Sequence, residues 1–178
     1  MRLLVTRPEP DAGVLAKQLT ALGHDVTLAP LARIEFLDPG KLPLDGVQAI
    51  IVTSRNALRA AQRLPEFPSL LSIPLFAVGA ATAELAQEFG FVSVTEGSGT
   101  AATLEPEISR QCQPDAGPLL HLAGEMLAWD LKGALEKNGF AVHQPVVYCS
   151  QATDRLPEAA IEAIRNGSLD GVILMSPV

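Results

Sequence analysis

The sequence predicts an α/β protein built on parallel, doubly wound sheets. Short apolar runs alternate with stretches of helical periodicity along the whole chain. Those runs are nearly continuous rather than alternating, which suits strands covered on both faces. Two stretches also resemble each other at a constant spacing, as a duplicated βα arrangement would.

In chain order, Leu3 to Thr6 is the first apolar run, followed by a Pro-containing loop. A helical pattern extends from about Asp11 to Leu22, with Leu15, Leu19 and Leu22 at helical spacing and Gly23 as its stop. "HDVTLAP" supplies a second strand. Phe36 to Gly46, "FLDPGKLPLDG", breaks both periodicities and reads as a crossing. Beyond it come strand "AIIVTS", helix "RNALRAAQRL", strand "PLFAVG", helix "AATAELAQEFG" and strand "FVSVTEG". After "SGTAATLEPEISRQC" follow strand "GPLLHLAG", a helix from roughly Glu125 to Asn138 stopped by Gly139, and "FAVHQPVVYC". "DRLPEAAIEAIRNG" gives a short helix before "LDGVILMSPV". Trp129 and the phenylalanines read as packing residues.

Leu3, Leu4, Leu15, Leu19, Gly23 and Val26 have counterparts 116 residues on, in Leu119, Leu120, Leu131, Leu135, Gly139 and Val142. The strand ending at Ser54 resembles the one ending at Ser176, 122 residues on. Any two βα units share apolar residues and a terminal Gly, so the order carries more weight: each copy runs strand, helix, strand, Pro-bearing crossing, strand, Ser. The second copy stops where the first continues into "RNALRAAQRL". The expectation is that a helix, a strand and a further helix lie beyond Val178, and that the last strand re-enters a sheet begun by residues 3 to 30.

Composition narrows the function. The chain is 48% hydrophobic and 19% charged, as in folded proteins. A net charge of -7, with no run of Lys and Arg, excludes a general nucleic-acid surface. Cys112 and Cys149 have neither metal-ligand spacing nor a secreted disulfide pattern and read as reduced thiols. "MRLLVTRPEP" is too short for a signal sequence, and no apolar run approaches a membrane span. The expected location is cytoplasmic.

A doubly wound sheet binds ligands beyond the carboxyl ends of its strands. In this chain those places hold Thr6-Arg7-Pro8, Thr53-Ser54-Arg55-Asn56, Gly79-Ala80-Ala81-Thr82, Gly97-Ser98-Gly99-Thr100, Ala123-Gly124-Glu125 and Ser176-Pro177. Small, hydroxylated and Gly-containing loops present backbone N–H groups to carboxylates or phosphates. Each has a structural alternative. Thr6, Ser54 and Thr82 also read as caps of the following helices, Arg7 as cover for a helix face or a surface ion pair, and "EGSGTAATLE" as a hinge. No Walker sequence, no GxGxxG after the first strand, no HExxH and no G-x-S-x-G elbow is present. His24, His121 and His143 fall in different βα units and are not read as metal ligands. Tyr148, the only tyrosine, ends "HQPVVY". It reads either as a packed structural residue or as a proton donor, since a phenol with a pKa near 10 stays neutral at working pH.

"LLVTRPEP…LAKQLTALGHDVTLAPL", then "IIVTSRNAL", "FAVGAATAELAQEFG" and "HQPVVY", resembles the uroporphyrinogen-III synthase family. The resemblance implies two flavodoxin-like domains joined by a two-stranded linker. The first would comprise residues 1–35 and 150–178, its C-terminal part absent; the second would comprise 38–146, with crossings at 36–37 and 147–149. It implies that the substrate is hydroxymethylbilane, a linear tetrapyrrole with eight carboxylates. Cyclisation to uroporphyrinogen III would then proceed with loss of water and inversion of the terminal ring through a spiro intermediate. No metal or organic cofactor is implied, and the enzyme would be a monomer in functional proximity to the enzyme that makes hydroxymethylbilane. Carried over residue by residue, Tyr148 resembles the family tyrosine proposed to assist departure of the hydroxyl. Thr82, Ser54 and Ser176 resemble substrate-binding hydroxyls, and Arg7 a partner of substrate carboxylates. Gly79, Ala80 and Ser98 complete the binding set. Two other classes fit the same α/β pattern: a non-enzymatic two-domain ligand-binding or regulatory module, and a flavin or nucleotide protein of flavodoxin type.

Overall fold

The computed structural model describes residues 1–174, so Met175, Ser176, Pro177 and Val178 lie outside the described residues. Its elements are β1 (Arg2–Val5), α1 (Asp11–Ala21), β2 (Asp25–Leu28), β3 (Ala32–Phe36), β4 (Ala49–Val52), α2 (Arg55–Ala61), α3 (Phe67–Leu70) and β5 (Leu75–Ala77). They continue with α4 (Ala80–Glu88), β6 (Val94–Glu96), α5 (Ala101–Gln111), β7 (Leu119–Gly124), α6 (Leu131–Lys137), β8 (Val142–His143), β9 (Val146–Ala152), α7 (Glu158–Arg165) and β10 (Gly171–Ile173). The chain divides into two compact units. One is formed by Met1–Glu35 together with the chain from Ser150 onward, the other by Phe36–Cys149.

In the first unit β10, β1 and β2 form a parallel sheet in that order. Buried Leu4, Ala29 and Ala160 form its core, with Leu156 and Leu169 packed against them. Arg2 ties the N-terminal end of β1 to the turn before β10. The Asp170 carboxylate accepts from the Arg2 backbone N–H at 2.7 Å and from its guanidinium at 2.9 Å, while the Asp170 N–H donates to the Arg2 carbonyl at 2.8 Å. Hydrogen bonding from Arg2 lowers the Asp170 pKa to about 2.

The second unit is a parallel sheet in the order β9-β7-β4-β5-β6, with β8 also paired to β7; β3 neighbours β9 in the strand order. Period-2 alternation sends Ile50, Val52, Leu75, Ala77, Leu120 and Leu122 into a core shared with Ala57, Leu58, Ala83 and Ala86 of α2 and α4. Ala49, Ile51, Phe76 and Leu119 face the opposite core, with Leu104 and Ile108 of α5 and Leu131 and Leu135 of α6. Both faces are therefore covered, which explains why the strands read as continuous apolar runs.

The similarity at 116 residues is visible in backbone pairing. Leu3 lies opposite Val26 in the β1–β2 ladder, and Leu119 lies opposite Val142 in the β7–β8 ladder. After each helix the chain turns through a left-handed glycine, Gly23 (φ 83) and Gly139 (φ 89). The next N–H returns to the helix in the same way, His24 to Leu19 and Phe140 to Leu135, both at 3.1 Å. The third strand repeats as well: Leu3 pairs with Gly171 where Leu119 pairs with Ala49.

Several elements differ from the sequence reading. "TAATLEPEISRQ", left without an element, holds α5. Pro106 removes only one intrahelical donor, and the buried pair Leu104 and Ile108 supplies an apolar face that outweighs the loss. The helix expected from Glu125 starts instead at Leu131, because Asp130 caps it: its Oδ1 accepts from Gly133 N at 2.9 Å. Residues 125–130 upstream are irregular and exposed, and Trp129, expected in packing, is 38% exposed. "FAVHQPVVYC" divides at Gln144-Pro145 into β8 and β9, since proline cannot donate to the ladder.

The second unit also buries polar side chains on its elements, among them a histidine. His121 of β7 is buried, its Nδ1–H donates to Gln144 Oε1 at 3.2 Å, and its Nε2 has no partner among the described residues. Burial lowers its pKa from 6.5 to about 4, against a smaller opposing effect of the Gln144 hydrogen bond. The unfolded chain then takes up a proton through the window from about 6.5 down to about 4, while the folded chain stays neutral. Stability is therefore lost as pH falls through that window, by about 3 kcal/mol once it is passed. Urea denaturation from pH 7 to 4 is expected to show this loss in the native sequence and a shallower one in His121→Val; equal pH slopes would remove His121 as the cause.

Candidate functional site

The carboxyl ends of β4, β5, β6 and β7 lie side by side in the second unit, and the loops leaving them carry most of the expected site residues. Ser54 follows β4. Its backbone is extended (φ -154, ψ 144) and its Oγ accepts from Asn56 N at 3.1 Å, so it is the N-cap of α2. The capping bond occupies a lone pair of the hydroxyl and leaves its proton to donate elsewhere.

Gly79 follows β5 and precedes α4 with extended backbone (φ -176, ψ 179). Ala80 and Ala81 open the helix and are exposed, whereas Thr82 in its first turn is 6% exposed and its N–H donates to Gly79 O at 3.0 Å. Thr82 is thus inside the helix and is not its cap. Thr6 is not a cap either: its Oγ1 donates to Ile173 O at 2.9 Å, tying β1 to β10.

The loop Gly97-Ser98-Gly99 after β6 closes onto the end of β5. Gly97 N donates to Ala77 O at 2.8 Å and Gly99 N to Val78 O at 2.7 Å. A Cβ on Gly79 would lie 3.2 Å from Gly99 Cα, and one on Gly97 would lie 2.8 Å from Leu104 Cδ1 and 3.0 Å from Ala77 O. The glycines therefore permit close backbone packing, and two of the loop's N–H groups are used by the sheet itself. Ser98 is exposed at the tip.

Tyr148 lies on β9, partly buried against the core shared by α2 and α4. Its partner in the ladder is Gly124, at the end of β7, with a register irregularity between Ala123 and Gly124. Glu125 N donates to Tyr148 O at 3.0 Å. The sequence reading named Ala123-Gly124-Glu125 as a strand-end loop but did not select Gly124; its place after a continuous apolar run was the available signal.

Arg7 follows β1 in the first unit and is half-buried. Ser176 lies outside the described residues. The structure therefore brings the Gly79 and Ser98 loops together and pairs Tyr148 with Gly124, while Ser54 stands at the neighbouring strand end. Among the described residues no group of three His, Cys, Asp or Glu side chains is placed to hold a metal ion, and Cys112 and Cys149 are buried and not joined in a disulfide. No helix among them is long and apolar enough to cross a membrane.

Fold and strand-end loops define a mixed α/β protein of the parallel-sheet class. The match to uroporphyrinogen-III synthase HemD extends over residues 13–178. The chain belongs to the uroporphyrinogen-III synthase family, the cyclising lyases of tetrapyrrole biosynthesis. The fold is similar to that of uroporphyrinogen-III synthetase from Helicobacter pylori 26695, with a TM-score of 0.58 and 22% identity over 92% of this chain and 68% of that one. It is also similar to a mutant uroporphyrinogen III synthase from the extremely thermophilic bacterium Thermus thermophilus, with a TM-score of 0.58 and 20% identity over 97% of this chain and 71% of that one. No curated protein matches the chain by sequence.

The cap separates two serines that the sequence treats alike. Ser54→Ala is expected to lower stability by about 1 kcal/mol, and Ser98→Ala to leave it unchanged, when urea midpoints are compared at constant pH. A Ser54→Ala midpoint equal to that of the native sequence would contradict the capping role.

Proposed function

We propose that the strand-end loops and Tyr148 carry out the family reaction, closing hydroxymethylbilane to uroporphyrinogen III. The terminal hydroxyl leaves as water, the freed methylene carbon bonds to the substituted position of the last ring, and the resulting spiro intermediate fragments and recloses in the opposite sense. Tyr148 is the group assigned to hydroxyl departure, its phenol O–H donating a hydrogen bond to the leaving oxygen. The observation that carries this reading is the position of Tyr148 at the carboxyl end of β7, where doubly wound folds take their ligands.

The substrate's eight carboxylates need donors in a chain whose net charge is -7. The exposed first-turn residues Ala80 and Ala81, the Gly79 turn, and the Ser54 and Ser98 hydroxyls are proposed to supply them locally, with Thr82 behind the first two. Arg7 and Ser176 are proposed as further carboxylate partners. Orientation does most of the work: hydroxymethylbilane closes spontaneously to the type I isomer, so the enzyme must hold the curl that leads to type III. In this reading the two compact units are two flavodoxin-like domains joined by β3 and β9, and the enzyme is a cytoplasmic monomer.

Incubation with freshly generated hydroxymethylbilane, followed by oxidation and isomer-resolved chromatography, is expected to give predominantly type III uroporphyrin. Type I alone, at the spontaneous rate and with folding verified, would overturn the assignment for this chain. Tyr148→Phe is expected to slow turnover by on the order of 100-fold with the fold intact. Thr82→Val is expected to slow it less, because neighbouring N–H groups share the binding; the reverse ranking would move the principal role to Thr82.

A further inference from the structure

We infer that Gly124 is a positioning residue for Tyr148, and that the missing side chain at 124 is what allows the phenol to lie against the end of β7. This rests on the proposed role of Tyr148. A Cβ built on Gly124 would lie 2.5 Å from Tyr148 Cζ, 2.7 Å from its hydroxyl oxygen and 3.0 Å from Cε1. Those are its three nearest neighbours, all at the reactive end of the ring. Carbon atoms in contact prefer about 3.5–4.0 Å, so an alanine would displace the ring by about an ångström.

The demand at 124 is for space and not for backbone freedom, because Gly124 is not among the glycines with positive φ. Nor does the repeat require glycine here: 116 residues earlier stands Pro8, which carries a Cβ. The surrounding backbone is fixed on both sides of the contact. Ala123 N donates to Pro145 O and Glu125 N to Tyr148 O, both at 3.0 Å. With the two strands held, a collision at 124 is relieved by rotating the Tyr148 side chain, and its hydroxyl moves away from the site of bond breaking.

Tyr148 is the only tyrosine, so fluorotyrosine incorporation yields a single fluorine resonance that reports on this ring independently of activity. Gly124→Ala is expected to shift that resonance. It should lower kcat by about the same factor as Tyr148→Phe, on the order of 100-fold, with KM within about twofold. The share of type I product should rise. On a Tyr148→Phe background, Gly124→Ala is expected to cause no further loss, because its effect passes through the hydroxyl that is already gone.

An unmoved resonance would overturn the inference, as would an equal loss of kcat on both backgrounds. A shifted resonance with full turnover in both Gly124→Ala and Tyr148→Phe would overturn the catalytic role of Tyr148, and with it any catalytic consequence of Gly124. If Gly124→Ala alone does not fold, Gly124→Ala combined with Tyr148→Ala is expected to be as stable as Tyr148→Ala alone. Failure of that rescue, with Tyr148→Ala itself folded, would show that the ring is not the obstacle.

Discussion

Strand β7 is buried along all six residues, and the geometry of the second unit depends on that constraint. It pairs in parallel with β4 on one edge and with β8 and then β9 on the other. Its leucines enter two different cores, Leu120 and Leu122 one and Leu119 the opposite one. Burying a leucine in this way contributes about 1.5–3 kcal/mol, and a one-residue slip would exchange the faces of every residue at once. The register of β7 is thus over-determined, and whatever stands at its carboxyl end inherits that precision. Gly124 and its partner Tyr148 stand there.

The repeated architecture separates what packing requires from what it does not. The two copies share the registers Leu3 with Val26 and Leu119 with Val142, and the same glycine-mediated turn after the helix. At corresponding positions they diverge: Val5 against His121, and Pro8 against Gly124. Val5 and His121 are both buried, so the packing scheme is met by an apolar residue and His121 is an addition to it. Among the described residues its hydrogen bond to Gln144 satisfies one ring nitrogen and leaves the other without a partner. A buried, half-satisfied imidazole is a liability for stability, and it remains neutral because burial outweighs the hydrogen bond that favours its charge.

The parallel α/β architecture was legible because its strongest elements obey a single period. β1, α1, β4, α2, β5 and α4 appear where the apolar runs and helical spacings place them. Two elements that escaped carry contrary local signals, Pro106 inside α5 and Pro145 between β8 and β9, while α3 is only four residues long, too short for a helical period to show. For α6 an apolar pattern continuing upstream concealed the cap at Asp130. The strand-end rule located the loops but not their internal use. "GSG" looks like a row of free donors in one dimension; in three, Gly97 and Gly99 donate to Ala77 and Val78 and make room for Gly79. The pairing of Gly124 with Tyr148 crosses a register irregularity, which no counting along the sequence reveals.

A negatively charged chain acting on a polycarboxylate poses an electrostatic problem that a few arginines would not by themselves solve. Arranging guanidinium groups around a flexible octacarboxylate would bind many of its conformations about equally, and uniform binding does not favour one ring closure over another. Backbone N–H groups and hydroxyls on short loops between rigid strands bind more weakly but impose direction, since each donor is aimed by the element that follows it. The role proposed for Tyr148 fits the same logic, a hydrogen bond directed at one departing hydroxyl. In such a site selectivity depends on where atoms are held more than on how strongly they are charged. In the mechanism proposed for Tyr148 the missing methyl group beside its phenol is a chemical determinant, and β7, buried along its whole length, holds that position.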